Sequence, residues 1–494
     1  MKKIIIILLN ICLSQQLLTD SNNNNLIIIE IESIKSNSIT EELYITPYIE
    51  KAPNHLNHIN ILNKLDLKKI FVVEPIFALR SSNSGFEMYT NSIDMDNSAV
   101  PSSVLWISPG IKMHSTISIL NDFKSIWIYS WSEFLKHSAY GFDDKYIYNN
   151  GNNLFNYIPE YSTSFYTGTV SPSKGGIDFD QSQGGVSLLS SNFKVIFGKF
   201  NTSLGPSSRS NLTISNNSPA FEQIFLSYKY KNFTLTYLFG KLDSNIPIIY
   251  NNKDSLHLDQ WEWEPILSST SNLPEYSRYI ASHRIDINIY ENLRIGLFEQ
   301  VIFGGRDIPL SYLVPLLPFW SSQHEGGDLD NIMMGFDIDY IFNSNRIYFS
   351  LLLDEWAPYS TFDEDERNWF AYQFGYSKYI KLFNRDCIFK AEYTRIDPRA
   401  YNHRFIINEP SHHGYNIGYW SGRDSDDLSF NFSTILSNNS FTKISYEFTR
   451  FSSATLYEDI ISLENQYADI DVGFLSFGYN SRKKVSLLYS KLLK

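Results

Sequence analysis

Two clusters of residues have side chains suited to metal chemistry. His403, His412 and His413 offer imidazoles. Adjacent histidines lack the i, i+4 spacing that sets two ligands on one helix face, so a polar loop accounts for them as well as a metal does. Asp424-Ser425-Asp426-Asp427 has the carboxylate density of a calcium loop. The turn Gly and distal Glu of such a loop are missing, and a loop entering a strand explains the run. No G-x-S-x-G elbow, phosphate loop or H-E-x-x-H occurs, so neither catalysis nor a cofactor or metal is expected. What remains is recognition. Trp261, Trp263, Trp320, Trp356 and Trp420 lie in or beside long polar connections. Sugar rings present apolar C–H faces rimmed by hydroxyls, which aromatic platforms flanked by hydrogen-bonding groups suit. The segment Arg395 to Asp427 concentrates Arg399, Tyr401, His403, His412, His413, Trp420 and Asp424, and Trp320 joins them as a candidate. The competing explanation is that such rings collect at a membrane interface or pack their own loops.

The elements that must position these residues are strands. The chain has 494 residues, 53 acids against 41 bases and a net charge of −12, which argues against nucleic acid as a partner. With 35 Phe, 33 Tyr and 9 Trp it is rich in aromatics. No run is long and apolar enough for a helical membrane span. Two Cys exclude a disulfide scaffold, and Cys12 falls in a leader-like start: Lys2-Lys3, then Ile4 to Leu9. Residues 1–20 are therefore expected to be a signal peptide. Residues 21–68 are expected to form a short periplasmic part, with a strand at Leu26 to Ile29, a capping box at Ser38-Ile39-Thr40-Glu41 and a helix near 54–65.

From Lys69 the period is two. Phe233 to Phe239, Arg284 to Ile289, Met334 to Tyr340, Phe370 to Ser377, Phe389 to Thr394 and Lys443 to Thr449 each alternate apolar with polar side chains. Short polar turns join them: Ser191-Asn192, Lys231-Asn232, Glu291-Asn292, Asn343-Ser344-Asn345, Ser437 to Ser440 and Asn480-Ser481-Arg482. Long connections alternate with these at 201–220, 241–278, 304–330, 355–367, 395–427 and 452–468. Short turns at one end and long loops at the other are the rhythm of a transmembrane antiparallel β-barrel. The hairpins predict about 16–18 strands over residues 69–494 in an all-β fold, with the small, partly helical N-terminal part on the periplasmic side. Tyr230, Phe239, Tyr290, Phe303, Tyr340 and Phe342 suit interface girdles. Leu235, Tyr237, Ile287 and Phe336 are expected to face lipid, and Thr234, Thr236, Asp286 and Asp337 the lumen. Glu299 and Gln300 interrupt an apolar run, so one of them breaks the pattern whichever face is lipid; a bulge or a strand end above the bilayer would resolve it.

Several local patterns occur in a telling order. They are Phe197-Gly198-Lys199, Leu204-Gly205-Pro206, Asn211 to Phe221, Tyr279 to Arg284, Val301 to Arg306, Tyr312-Leu313-Val314-Pro315-Leu316, Asp330-Asn331, Tyr393-Thr394-Arg395, Tyr401-Asn402-His403, His413-Gly414 and Gly422 to Leu428. Together they resemble the Wzi-type capsule assembly proteins, in their divergent form, over roughly residues 175–450. The family often has Trp where this chain has Leu204, and Asn where it has Val314; the chain also ends Leu492-Leu493-Lys494 without a terminal aromatic. The resemblance implies an outer-membrane barrel of about eighteen strands with a helical periplasmic region. It also implies a lectin that holds capsular polysaccharide and is not an enzyme. The expected partners are outer-membrane lipid and surface polysaccharide, with a monomeric barrel. A porin-like channel for small or amphipathic solutes is the alternative, and an outer-membrane acyl hydrolase a more distant one.

Overall fold

The computed structural model describes residues 17–46, 71–82, 104–121, 124–140, 176–207, 209–242, 277–327, 329–356, 358–361, 368–403, 406–412, 415–437, 440–452, 473–476 and 478–491. Sixteen strands form one antiparallel sheet in which each strand pairs with the next of the series. They are β1 Phe71–Ser82, β2 Val104–Asn121, β3 Lys124–Tyr140, β4 Gly176–Leu189, β5 Phe193–Phe200, β6 Phe221–Tyr230, β7 Phe233–Leu242 and β8 Arg278–Tyr290. The series continues with β9 Leu293–Gly304, β10 Asn331–Phe342, β11 Asn345–Glu355, β12 Trp369–Leu382, β13 Arg385–Ile396, β14 Ser425–Ser437, β15 Ser440–Ser452 and β16 Tyr479–Lys491. This is the all-β transmembrane barrel, and the sixteen strands found among the described residues are the lower bound of the expected number.

Parity follows the sequence pattern. Thr234, Thr236, Asp286 and Asp337 point inward and are buried. Leu235, Ile287 and Phe336 alternate with them on the outer face and are half-buried. Tyr237 also points outward, but it is buried because a loop lies over it; its hydroxyl donates to the Tyr312 carbonyl at 2.8 Å. Phe303 is likewise covered, packing on Tyr312, whereas Tyr230, Tyr290 and Tyr340 are exposed at the short-turn end, as a girdle requires. The Asn343-Ser344 turn has positive φ at both residues, as two-residue primed turns need. So does Phe383-Asn384, a turn without the usual residue signal. Asn480-Ser481-Arg482 is no turn. It lies within β16, paired with β15, and Arg482 sits opposite the buried Thr449 with its side chain turned inward.

The N-terminal part also differs from expectation. Leu26 to Ile29 belongs to helix α1, Leu17–Ser36, and not to a strand. Tertiary packing overrides the β-propensity of the isoleucines. Ile31 and Ile34 bury against Ile388, with Ile27, Tyr379 and Ile435 around them. Helix α1 begins at Leu17, inside the expected leader; residues 1–16 and the expected helix near 54–65 lie outside the described residues. The capping box does not form: a 3-10 turn at Glu41–Leu43 starts from Thr40 without a side-chain cap bond. Helix α1 sits at the short-turn end, where Lys35 pairs with Asp386 at 3.1 Å and the Ile39 amide donates to the Glu291 carbonyl at 2.7 Å.

Along β5 to β13 the lumen is a packed core. Inward side chains Ile196, Phe225, Leu238, Ile280, Ile302, Met333 and Leu352 meet Ile39, Leu43, Tyr44 and Ile45 from the N-terminal segment and Leu204, Leu212 and Ile214 from the connection after β5. Beside this apolar mass lies an ion cluster. Arg284 and Arg294 each bind both Asp286 and Asp337, at 2.5 to 2.7 Å. Arg346 bridges Asp339 at 2.6 Å and Glu30 of α1 at 2.8 Å, and Lys390 lies 3.7 Å from Glu30. Gly296 leaves room for the cluster: a Cβ there would collide with the Arg284 guanidinium.

Two outcomes follow. Burial alone would raise the Glu30 carboxyl, but Lys390 and Arg346 hold it down to about 2, against an ordinary 4.5. Its contribution is complete above pH 4.5 and disappears as pH falls toward 2. Removing one partner of a buried pair costs about 3–5 kcal/mol, so Glu30→Ala should expose α1 to protease at neutral pH; an equally resistant variant contradicts the pairing. Because the lumen is packed, Thr234→Arg should impair folding as severely as Leu235→Arg, which costs roughly 2–4 kcal/mol if it meets mid-bilayer lipid. Normal heat-modifiable gel mobility for Thr234→Arg would mean an open interior.

Candidate functional site

Two long connections at the same end of the barrel build one structure. The first, 201–220, turns into the lumen after β5. It begins with Ser203–Leu204 pairing antiparallel to Ile45–Thr46. Gly205, at φ 137, turns the chain there, its amide donating to the Tyr44 carbonyl at 2.9 Å. The Pro206 carbonyl accepts from Arg346 at 2.9 Å, and the Ser207 hydroxyl donates to Glu392 at 2.7 Å. The second connection, 397–424, is lashed to the first. Ser215 donates its amide to the Ile417 carbonyl at 2.8 Å, and the Asn217 amide group reaches the Asn416 and Gly418 carbonyls at 2.6 and 2.8 Å. Asn and Ser side chains suit this because they bond to a neighbouring backbone without adding charge.

On this base sits a series of arginine–aromatic stacks. Trp420 has Arg209 5.5 Å and Arg482 5.3 Å from its ring centroid. Arg209 is anchored by Asp427 at 2.5 Å and Glu447 at 3.2 Å, and the Tyr419 hydroxyl donates to the same Asp427 at 2.6 Å. Arg395 stacks on Phe474 at 3.9 Å, and Arg450 lies 6.0 Å from Phe474 and 5.5 Å from Tyr479. Asp426 holds Arg450 through a bond of 2.9 Å and a second at 2.5 Å. Arg399 covers Trp369 at 5.5 Å. The guanidinium groups lie over the rings, those of Arg209 and Arg450 held by carboxylates, a stacked array whose donors and acceptors suit a sugar's hydroxyl rim.

The residues expected to bind sugar fall into distinct places. Arg399, His403 and Trp420 are half-buried in the 397–424 connection. Tyr401 is core: it is 5 % exposed, and its hydroxyl donates to the Leu212 carbonyl and accepts from the Tyr419 amide. His412 is buried edge-on against Phe221, 5.7 Å between centroids. Asp424 is buried, accepts the Leu475 amide at 2.8 Å and so fixes Phe474 beside the arginines. Desolvation by burial raises its carboxyl, as it does that of Asp397. Trp320 lies on the outer wall, away from this group. His413, Trp261 and Trp263 lie outside the described residues. Asp426 and Asp427 open β14 and neutralise arginines, as a loop entering a strand would. Sequence reasoning passed over Arg209, Arg482, Trp369 and Phe474. Arg209 is a lone cation within a Ser/Asn-rich motif, which is a usable signal; Arg482 was hidden by its assignment to a turn.

Glu409 in the same connection supplies a pH test. Burial raises its carboxyl to about 7, against the pull of Arg423 and Arg278. The folded chain therefore holds this proton where the unfolded chain has lost it, and stability falls as pH rises from about 4.5 to 7. Glu409→Gln should flatten that dependence, leaving the melting temperature at pH 5 unchanged and raising it at pH 8. A variant that melts like the parent at both pH values overturns this.

The model of the capsule assembly protein Wzi family matches residues 124–487, so this chain belongs to that family. Among curated proteins, none matches the chain. Among solved structures it is similar to Wzi of Escherichia coli, an outer-membrane carbohydrate-binding β-barrel involved in group 1 capsule assembly, with 11% identity and a TM-score of 0.46 over 86% of this chain and 78% of that one. It is also similar to OccK8 of Pseudomonas aeruginosa, with 9% identity and a TM-score of 0.37 over 77% and 84% of the two chains. For OccAB4 of Acinetobacter baumannii the values are 9%, 0.38, 78% and 83%. The family assignment rests on the family match alone.

Proposed function

We propose that this Wzi-family barrel resides in an outer membrane as a monomer, exported through its leader. There it binds and organises surface polysaccharide at its long-loop end without catalysing a reaction. The observation that carries the reading is the packed lumen. Inward side chains of β5 to β13, the N-terminal segment and the 201–220 connection share one apolar core, which fills the interior along those strands and favours recognition at the mouth. The mouth offers Trp420 between Arg209 and Arg482, Trp369 beneath Arg399, and half-exposed Trp356 with its indole donating to Thr361 at 3.0 Å. A polymer touches many such shallow sites at once, and multivalency gives retention without a deep pocket. A channel for small solutes is the rival reading, and the same packing speaks against it.

The test is retention of surface glycan by cells. Trp420→Ala combined with Arg482→Ala should insert normally and retain several-fold less polysaccharide, measured as glycan shed into the medium. Full retention by that variant removes the mouth as the site. Unchanged glycan after deletion of the gene, together with steady ion conductance of the purified protein in planar bilayers, would put the channel in its place.

A further inference from the structure

The connection between β9 and β10 behaves unlike the one after β5. It folds down the outside of the barrel. Tyr312 and Phe319, both buried, pack on outward side chains of the wall: Tyr237, Ala281, Val301, Phe303 and Ile332. The fold of this segment is pinned. Asp330 accepts from Arg306 and from the Tyr312 hydroxyl, the latter at 2.6 Å, and Gln323 donates to the Asp330 carbonyl at 2.6 Å.

The same contact resolves Glu299. Pairing of β8 with β9 runs without a shift through this position, so no bulge re-aims the side chain. Gln300 points inward and is fully buried. Glu299 points outward, where hydrocarbon would make a bare carboxylate costly. The loop covers it: the amides of Phe319 and Trp320, opening the short helix α2 (Phe319–Glu325), donate to its carboxylate at 2.9 and 2.6 Å, and His283 lies at 2.9 Å.

What the loop presents away from the wall is apolar. Leu310 is 79%, Leu316 68% and Trp320 56% exposed, and Leu313, Val314 and Leu317 are exposed as well. From Ile308 to Gln323 no residue carries a formal charge. The surface is continuous with the wall below, where Ile285, Leu297 and Ile338 of β8, β9 and β10 are exposed on the same face. A sugar-binding surface would offer donors and acceptors, and this one offers methyl groups and one amphipathic indole.

We propose that residues 308–320 form a membrane-inserted foot, with Leu310, Leu313, Leu316 and Leu317 among lipid acyl chains and Trp320 at the interface. It extends the lipid-facing wall sideways on one side of the barrel and takes Trp320 out of the sugar-binding surface. The inference rests on the barrel being embedded in a membrane, and the test separates the two.

The test uses single-cysteine variants in a Cys12→Ser, Cys387→Ser background, labelled with an NBD fluorophore. Leu316→Cys probes the foot, Leu297→Cys the wall, and Tyr359→Cys the fully exposed long-loop end. The full chain is reconstituted into phosphatidylcholine vesicles with or without doxyl-labelled phosphatidylcholine, and iodide serves as the aqueous quencher. The label on Leu316→Cys should lose emission to doxyl lipid as the Leu297→Cys label does and resist iodide, while the Tyr359→Cys label does the reverse. If Leu316→Cys behaves like Tyr359→Cys while Leu297→Cys is quenched by lipid, the foot is wrong and the membrane barrel stands. If it resists both quenchers, a second protein copy covers the face, and the proposal is overturned. If neither Leu297→Cys nor Leu316→Cys meets lipid, the membrane reading itself fails and the foot fails with it.

Discussion

The interior of this barrel depends on one electrostatic constraint: the inward faces of β8 to β13 carry charges that have no water to face. Arg284, Arg294, Arg346 and Lys390 stand with Asp286, Asp337, Asp339 and Glu392 from the strands, and a further anion, Glu30, comes from helix α1. Glu30 meets Arg346 at 2.8 Å and Lys390 at 3.7 Å, so the helix brings a carboxylate to two buried cations of the strands. Burying an unpaired ion costs several kcal/mol, so docking of the helix is an electrostatic closure as much as an apolar one. Tyr44 follows it in, its ring 4.1 Å from the Arg294 guanidinium. Glu30, Ile39, Leu43, Tyr44 and Ile45 are therefore part of the interior.

Once the helix is in, the connection after β5 completes the filling. Ser207 and Ser210 meet Glu392 and Gln373, and Arg209 reaches Asp427 and Glu447 across the barrel. Each of these bonds adds a partner from the connection to an inward polar group of a strand. The same connection then supports the 397–424 loop, on which Trp420 stands. The sequence of supports runs from ion cluster to plug to mouth. Tyr401, His412 and Asp424 belong to the supports: they hold aromatic and arginine side chains in position and present little surface themselves.

Much of the wall was legible in the sequence because a strand repeats every two residues, and one buried face makes parity robust. Asp286, Asp337, Thr234 and Thr236 fell inward from alternation alone. Legibility failed where a distant element decides the local state. Leu26 to Ile29 reads as strand from its β-branched residues, and only its packing on β12, β13 and β14 makes it helix. Phe383 sits in a turn at φ 47 because the hairpin geometry demands it, although Phe is no turn residue. Tyr401 and His412 look like exposed sugar contacts in a polar stretch, yet the fold buries them. Composition marks a loop as aromatic and polar, but not which of its rings the loop spends on itself. The arginine partners of Trp420 come from positions 209 and 482, far apart in the chain, so no spacing rule could have joined them.

The two connections that leave the mouth show why one barrel end can serve two solvents. The connection after β5 is built from Ser, Asn, Thr, Gly and Pro, and it folds inward, where unpaired strand side chains offer hydrogen bonds. The connection after β9 is built from Leu, Pro, Phe and Trp, and it folds outward, where the wall offers apolar contact. Neither could exchange places with the other. An apolar loop in the lumen would remove the partners that Ser207, Arg209 and Ser210 give to Glu392, Asp427 and Gln373, and a polar loop on the wall would strand its own backbone beside methyl groups. Glu299 is the exception that proves consistent with this sorting. It is a charged residue on the apolar side, and the apolar loop carries the helix amides that satisfy it. Loop composition thus selects a side of the wall, and the side selected sets what each aromatic can meet: Trp420 the aqueous mouth, Trp320 the outer surface of the wall.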